Sequence, residues 1–121
     1  MKIFYNEEIY IKTDNFSDSI FKENTMFFDI ETTGFSPVKA IVYMIGCARR
    51  IKNRIVIDQY FAEVPDDEAD IIAAFASELK SCDTLISFNG VGFDIPFLRS
   101  KYKKYKQNDP FSSVKLIDIF K

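Results

Sequence analysis

Two carboxylates stand at the end of an apolar run near the start of the chain. Asp29 and Glu31 are separated by Ile30 and close residues 25–31, whose composition is typical of a buried strand. Because side chains alternate between the two faces of a strand, both carboxylates are expected on one face. If buried, they would repel each other and lose hydration, so they would need a cation or protons. A Mg²⁺ or Mn²⁺ site is one interpretation, and a strand end that has reached solvent is the other.

A third acid follows a glycine-containing loop later in the chain. Asp94 comes after residues 89–93 and opens a segment whose apolar residues have helical spacing. Its ordinary explanation is an N-cap that accepts backbone N–H groups of the helix. A shared metal site with the first two acids is the alternative, and one carboxylate can serve both purposes.

The pattern of apolar residues predicts an α/β fold with a mixed sheet flanked by helices. Strands are predicted at 25–31, 41–50, 54–63, 84–88 and 114–120, and helices at 68–80 and 94–106. The first three strands have no helix between them, which predicts an antiparallel meander with a hairpin turn at Lys52-Asn53. The order over this part is βββαβαβ. An edge strand over 1–12 and a short helix over 14–23 are also compatible with the pattern.

Length and composition indicate one soluble domain. Hydrophobic residues make up 47% of the 121 residues and charged residues 28%, as in ordinary globular proteins. We expect a cytoplasmic protein without a membrane partner, because no apolar run could span a bilayer and no signal peptide is recognisable. Cys47 and Cys82 are then expected to be reduced thiols. The lack of histidine excludes a histidine triad, a histidine zinc site and a histidine general base within this chain.

The two acidic motifs together resemble a known enzyme family. Residues 28–34, Phe-Asp-Ile-Glu-Thr-Thr-Gly, and residues 87–98, Ser-Phe-Asn-Gly-Val-Gly-Phe-Asp-Ile-Pro-Phe-Leu, resemble the first two motifs of DEDD-type 3′–5′ exonucleases of the RNase H-like superfamily. The nearest similarity is to the YprB-like ribonuclease H-like branch. On this basis we divide the chain into an N-terminal extension, 1–24, and an RNase H-like exonuclease domain, 25–121.

The resemblance implies an RNase H-like fold and a metal-dependent nuclease acting on single-stranded DNA or RNA, with DNA and RNA both left open. Asp29, Glu31 and Asp94 would be its catalytic metal ligands, for two Mg²⁺ or Mn²⁺ ions in the complete site. Two ions suit phosphodiester hydrolysis because they serve both the attacking and the leaving oxygen. Nucleic-acid contacts are expected at Thr32, Thr33, Gly34, Asn89 and Phe93, although turn formation and core packing explain these five nearly as well.

The family's third motif has no counterpart in this chain. That motif carries the fourth acid, on helices that follow the last strand, so we expect an RNase H-like domain that lacks its C-terminal helices. Asp118 is similar to the family's ordinary strand aspartate and is not expected to replace that acid. Loss of the helices would expose apolar surface, from which a homodimer is predicted.

Two other functions compete with the nuclease. A catalytically incomplete RNase H-like fragment could bind nucleic acid or protein without cleaving anything. A haloacid-dehalogenase-like phosphatase also begins with an apolar strand that leads into acids, and Asp29 would be its nucleophile. That scheme gives no role to Asp94.

A basic segment, residues 99–106, follows Asp94 and contains five positive charges and two tyrosines. Such a segment suits a phosphate backbone, because neutralised phosphates release counterions. The favoured interpretation is nevertheless a solvated helix face, with Tyr102 and Tyr105 packed inward.

Overall fold

The computed structural model describes residues 2–10, 22–88 and 90–119. Within them the chain forms six strands, β1 to β6, and two α-helices, α1 and α2. The strands are β1 (Lys2–Tyr10), β2 (Thr25–Thr32), β3 (Val42–Ile51), β4 (Arg54–Ala62), β5 (Thr84–Ser87) and β6 (Lys115–Asp118), and the helices are α1 (Glu68–Leu79) and α2 (Asp94–Lys104). Short 3-10 turns occupy Pro65–Asp67 and Pro110–Ser113. The short helix predicted at 14–23 lies mostly outside the described residues, and residues 22–24 form a turn.

The strands form one mixed sheet in the order β1-β4-β3-β2-β5-β6. The pairs β1/β4, β4/β3 and β3/β2 are antiparallel, and β2/β5 and β5/β6 are parallel. The predicted βββαβαβ order and the meander of β2, β3 and β4 are therefore confirmed. β1 lies at an edge of the sheet, while the division of the chain at residue 24 stays a prediction.

Both helices cover the same face of the sheet. Phe28 and Ile30 of β2 point to this face and pack in one buried cluster with Phe75 of α1 and Leu98 of α2. The rings of Phe28 and Phe75 are 5.3 Å apart, an arrangement that adds roughly 0.5–1.5 kcal/mol beyond burial. The opposite face of β2 carries Phe27 and the two acids, and no described helix covers it. None of the described helices is long and apolar enough to cross a bilayer.

The hairpin turn between β3 and β4 lies where it is predicted, at Lys52-Asn53, but with a different backbone conformation. Asn tolerates positive φ better than Lys, yet positive φ is found at Lys52, with φ 57°. The Arg50 guanidinium Nε donates to the Lys52 carbonyl oxygen at 2.7 Å. A contact between side chain and backbone thus stabilises a conformation that the residue type alone does not favour.

Candidate active site

Asp29 and Glu31 lie on the uncovered face of β2. Their side chains are exposed, whereas Phe28 and Ile30 on the helix face are buried. The prediction that the two acids share a face is confirmed. Of the two interpretations, the solvent-exposed strand end agrees with the exposure of both side chains, since nothing described packs on that side. The β2/β3 register shifts between Glu31 and Thr32, a local irregularity that is common beside active sites.

Asp94 is the buried acid of the group. It is 7% exposed and is the first residue of α2, while the N-cap position belongs to Phe93 and has no side-chain cap bond. The N-cap interpretation of Asp94 is therefore wrong by one residue. Its carboxylate instead accepts the backbone N–H of Ile30. This bond fixes the start of α2 against β2, between the two acids of that strand.

The electrostatic environment of Asp94 is unfavourable for a carboxylate. Burial raises the pKa of Asp94 to about 6, the nearby charges of Asp29, Glu31 and Asp118 contribute to the increase, and the Ile30 N–H opposes the shift. The Oδ2 atom of Asp94 is buried and has no hydrogen-bond partner among the described residues. A buried acceptor without a donor is costly, so this atom is suited to a cation.

The three acids are the type of ligand that a hard divalent ion prefers, but their side chains do not converge into a formed coordination site. Carboxylate oxygens are the ligands that Mg²⁺ and Mn²⁺ prefer, and a cation would offset the mutual repulsion of the three. Within residues 2–10, 22–88 and 90–119, however, no three acidic or cysteine side chains converge closely enough to hold one ion. Asp94 is fixed in place, and the exposed Asp29 and Glu31 would have to turn toward it.

The turn at residues 32–34, where nucleic-acid contacts are predicted, is held by its own hydrogen bonds. Thr32 Oγ1 donates to the Gly34 carbonyl oxygen at 2.8 Å. Thr33 pairs with Ile41 twice, because its N–H donates to the Ile41 carbonyl at 2.9 Å and its Oγ1 accepts the Ile41 N–H at 3.0 Å. A Cβ placed on Gly34 would be 3.4 Å from the Cβ of Ala40, which leaves little room. The hydroxyls therefore shape this turn.

Two phenylalanines border the acids. Phe35 is 90% exposed, and its ring meets that of Phe93 edge-on at 6.2 Å. Both line a small groove of 170 Å³, together with Pro37, Gly92, Pro96 and Phe97. Sequence reasoning named Phe93 and missed Phe35, although a large aromatic residue directly after Gly34, in a loop, was an available signal. Asn89, the remaining predicted contact, lies outside the described residues.

The loop before α2 is packed tightly onto the end of β5. A Cβ on Gly90 would lie 2.3 Å from Ser87 Oγ and 2.5 Å from Ser87 Cβ, so no other residue fits there without a shift. The Gly90 carbonyl accepts the Ile95 N–H at 2.7 Å. Asp118 of β6 accepts the Val91 N–H at 3.3 Å, which ties the same loop to the sheet.

Four of the five positive side chains in the basic segment are exposed, which confirms the predicted solvated helix face: Arg99, Lys103, Lys104 and Lys106. Arg99 forms an ion pair with Asp109 at 2.9 Å, and Lys101 is buried. Tyr102 donates to the Ile72 carbonyl and Tyr105 to Glu68 Oε1, each at 2.6 Å. The inward packing of both tyrosines is confirmed.

Comparison with known proteins identifies the family. A family model described as RNase_H superfamily matches residues 26–121. The chain belongs to this superfamily. The protein YprB of Bacillus subtilis (strain 168) is 29% identical over 90 residues, which are 74% of this chain and 22% of YprB. The chain thus spans about a fifth of the length of that curated relative. The similarity to the RNase H-like superfamily and to YprB, predicted from the two motifs, is confirmed.

Solved structures share the fold of this superfamily member. E. coli exonuclease I in complex with a dT13 oligonucleotide has a TM-score of 0.58 at 19% identity, covering 78% of this chain and 27% of exonuclease I. Its zinc-bound form with single-stranded DNA has a TM-score of 0.55 at 20% identity, with the same coverages of 78% and 27%. The family B DNA polymerase of Pyrobaculum calidifontis has a TM-score of 0.55 at 24% identity, covering 69% of this chain and 11% of the polymerase. The predicted RNase H-like mixed sheet is confirmed.

Proposed function

We propose that this chain carries the catalytic acids of a divalent-metal-dependent nuclease that hydrolyses single-stranded DNA or RNA, acting as a 3′–5′ exonuclease with two Mg²⁺ or Mn²⁺ ions. One observation carries the proposal, which is the buried Oδ2 of Asp94, without a hydrogen-bond partner in the described chain and near the charges of Asp29 and Glu31. Membership in the RNase_H superfamily supports it, as does the exonuclease I fold likeness.

Each acid has a distinct part in this proposal. Asp94 is the fixed ligand, because the Ile30 N–H and the start of α2 set its position. Asp29 and Glu31 are exposed, and they would be the ligands that turn toward a bound ion and toward the phosphate of the substrate. When bound, the divalent ions would supply an activated water and charge compensation at the scissile phosphate. Histidine is absent from the chain, so a histidine base that orients the water would have to come from elsewhere.

The nucleotide contacts follow from the residues beside the acids. The exposed ring of Phe35 and the neighbouring ring of Phe93 offer aromatic faces and edges for a base at the strand end, since stacking is tolerant of sequence. The turn of Thr32, Thr33 and Gly34 brings backbone close to the same place. For Asn89, the proposed contact is the one with the sugar or base that its position in the second motif predicts.

A second candidate function is binding without cleavage. The observation that favours it is the lack of a three-acid cluster among the described residues. Superfamily membership favours the nuclease over the phosphatase, in which Asp94 has no role.

The predicted homodimer stays a prediction. Beside Asp29, an open groove of 300 Å³ is lined mainly by Phe27, Met44, Ala48, Ile57 and Phe88, and light scattering would show whether this surface pairs two copies.

The test is degradation of 5′-labelled single-stranded DNA and RNA with Mn²⁺, with Mg²⁺ and with EDTA. The proposal expects stepwise, metal-dependent shortening that Asp29→Asn and Asp94→Asn abolish. Asp70→Asn, which removes an exposed acid on α1, is the matched control and should leave shortening intact. Oligonucleotide binding without any shortening would favour the binding fragment.

A further inference from the structure

A buried ion pair joins the two helices to the loop that follows β2. Lys101 of α2 is 1% exposed and Glu68 of α1 is 0% exposed, and Lys101 Nζ lies 3.3 Å from Glu68 Oε2. Lys101 also donates to the Ala40 carbonyl oxygen at 2.6 Å. Glu68 Oε2 accepts the Val42 N–H at 2.7 Å. Isolated charges are not tolerated in such surroundings, so the two charges and their backbone contacts form one unit.

The backbone groups that this pair holds lie on both sides of Ile41, which is the partner of Thr33. Ala40 is fixed by Lys101 and Val42 by Glu68, so the carbonyl and N–H of Ile41 are presented to Thr33 in a set position. The Ala40 side chain also lies beside Gly34. The pair therefore acts on the segment that leads from Glu31 to Phe35.

Lys101 also connects this loop to the buried acid. It lies seven residues after Asp94 in α2, two helical turns along the same side. Its Nζ lies 5.6 Å from the ring centre of Phe97, which packs on Phe93 at 5.5 Å. Phe93 in turn meets Phe35 of the loop. The loop and the start of α2 are thus connected through the packed side chains of Lys101, Phe97 and Phe93.

We propose that Lys101, with Glu68, is a positioning residue that fixes the 33–41 loop against α2 and so sets the nucleotide contacts relative to Asp94. The effect on nucleotide binding rests on the proposed function, whereas the effect on the loop does not. Lys101 acts on the site through its contacts with Ala40 and Phe97. If the pair contributed only to overall stability, its removal would loosen this loop and the rest of the sheet to the same extent.

The test compares a double variant with a control of lowered stability. Lys101→Met alone would leave Glu68 charged and buried, so Lys101→Met with Glu68→Gln removes both charges together. The amide that replaces the Glu68 carboxylate retains an oxygen for the Val42 N–H. Val56→Ala, in the core of β4, serves as the control that lowers stability elsewhere. Each protein is measured at the same interval below its own melting temperature.

Amide hydrogen exchange is the first readout. The proposal expects the Thr33, Ala40 and Ile41 amides to exchange at least tenfold faster in the double variant, with β4 amides unchanged. It expects affinity for a fluorescent dT oligonucleotide, measured with Ca²⁺, to fall at least fivefold, and the Mn²⁺-induced melting shift to persist. Unchanged exchange in the loop, or equal changes in Val56→Ala, would overturn the proposal. If the parent chain binds no oligonucleotide, the proposed function fails, and exchange alone decides the role of Lys101.

Discussion

The carboxylate of Asp94 accepts the backbone N–H of Ile30, the residue that separates Asp29 from Glu31. This one bond joins the first turn of α2 to the middle of the acidic strand, two segments that are far apart in the sequence. The strand acids are exposed and the helix acid is buried, so a cation at this place would meet one fixed and two adaptable ligands. Asp94 Oδ2 has no hydrogen-bond partner among the described residues, and a structural role of Asp94 does not explain this atom.

Asp94→Asn should stabilise the chain when no metal is present. The change removes a buried carboxylate from the field of Asp29, Glu31 and Asp118, while the amide oxygen still accepts the Ile30 N–H. We expect the free energy of unfolding at pH 7 in EDTA to rise by roughly 1 kcal/mol, measured by urea denaturation. Asp70→Asn, which changes an exposed acid, should alter it by less than about 0.5 kcal/mol. A destabilised Asp94→Asn would mean that the carboxylate has a structural role.

Glu78 should make stability depend on pH. Burial and the neighbouring Asp58 carboxyl raise the pKa of Glu78 to about 7 from its ordinary 4.5, although Tyr60 and Arg49 oppose the shift. The folded pKa is raised, so the contribution of the neutral form is complete below pH 4.5 and is lost as the pH rises through 7. In Glu78→Gln the loss of unfolding free energy between about pH 5 and pH 7.5 should be smaller, by on the order of 1 kcal/mol. Denaturation curves at the two pH values test this, and an unchanged pH dependence would contradict it.

Phe35→Ala should weaken binding of single-stranded DNA with little change in the free energy of unfolding. The ring is almost fully exposed, so its removal should change the free energy of unfolding by less than about 0.5 kcal/mol. Loss of one stacked base should weaken binding of single-stranded DNA by roughly 1–3 kcal/mol, measured by fluorescence anisotropy with Ca²⁺. Val38→Ala, at an 84% exposed residue of the same loop, is the matched control and should leave binding unchanged. Equal losses in the two variants would show that the ring has no specific role.

Gly90→Ala should destabilise the fold. The new Cβ would collide with Ser87 at 2.3–2.5 Å, so the loop before Asp94 would have to shift. We expect a loss of roughly 1–3 kcal/mol, the usual cost of overpacking, in urea denaturation. Gly46→Ala is the control, because among the described residues the nearest atom to a Cβ there is Met44 Sδ, at an ordinary contact distance of 3.7 Å. Similar stability in both variants would contradict the tight packing of Gly90.

The sequence predicts which residues share a strand face at the site better than it predicts whether their side chains are buried. Alternation along β2 places Asp29 and Glu31 on one face, because that property is local to the strand. Their exposure depends on what covers the sheet, which is not local, so the sequence leaves a buried site and a solvent-exposed strand end both open. The N-cap interpretation of Asp94 is off by one residue because a shift of one residue in the helix start is invisible in the pattern.

Long-range pairing accounts for what sequence reasoning missed at the site. Lys101 belongs to a segment rich in lysine, whose composition favours a solvated face, and only the fold brings Glu68 and the Ala40 carbonyl to it. Phe35 follows the first motif directly, but its meeting with Phe93 depends on packing between two distant loops. Charge pairs and ring contacts across distant segments have no periodic signal in the sequence.

Thermal unfolding in a Mn²⁺ titration tests the central claim most directly. If Asp94 holds a divalent ion together with Asp29 and Glu31, Mn²⁺ will raise the melting temperature of the parent chain with a saturating concentration dependence. The increase will be lost in Asp94→Asn and retained in Asp70→Asn. Absence of a shift in the parent chain, or an equal shift in Asp94→Asn, would contradict a metal site at these acids.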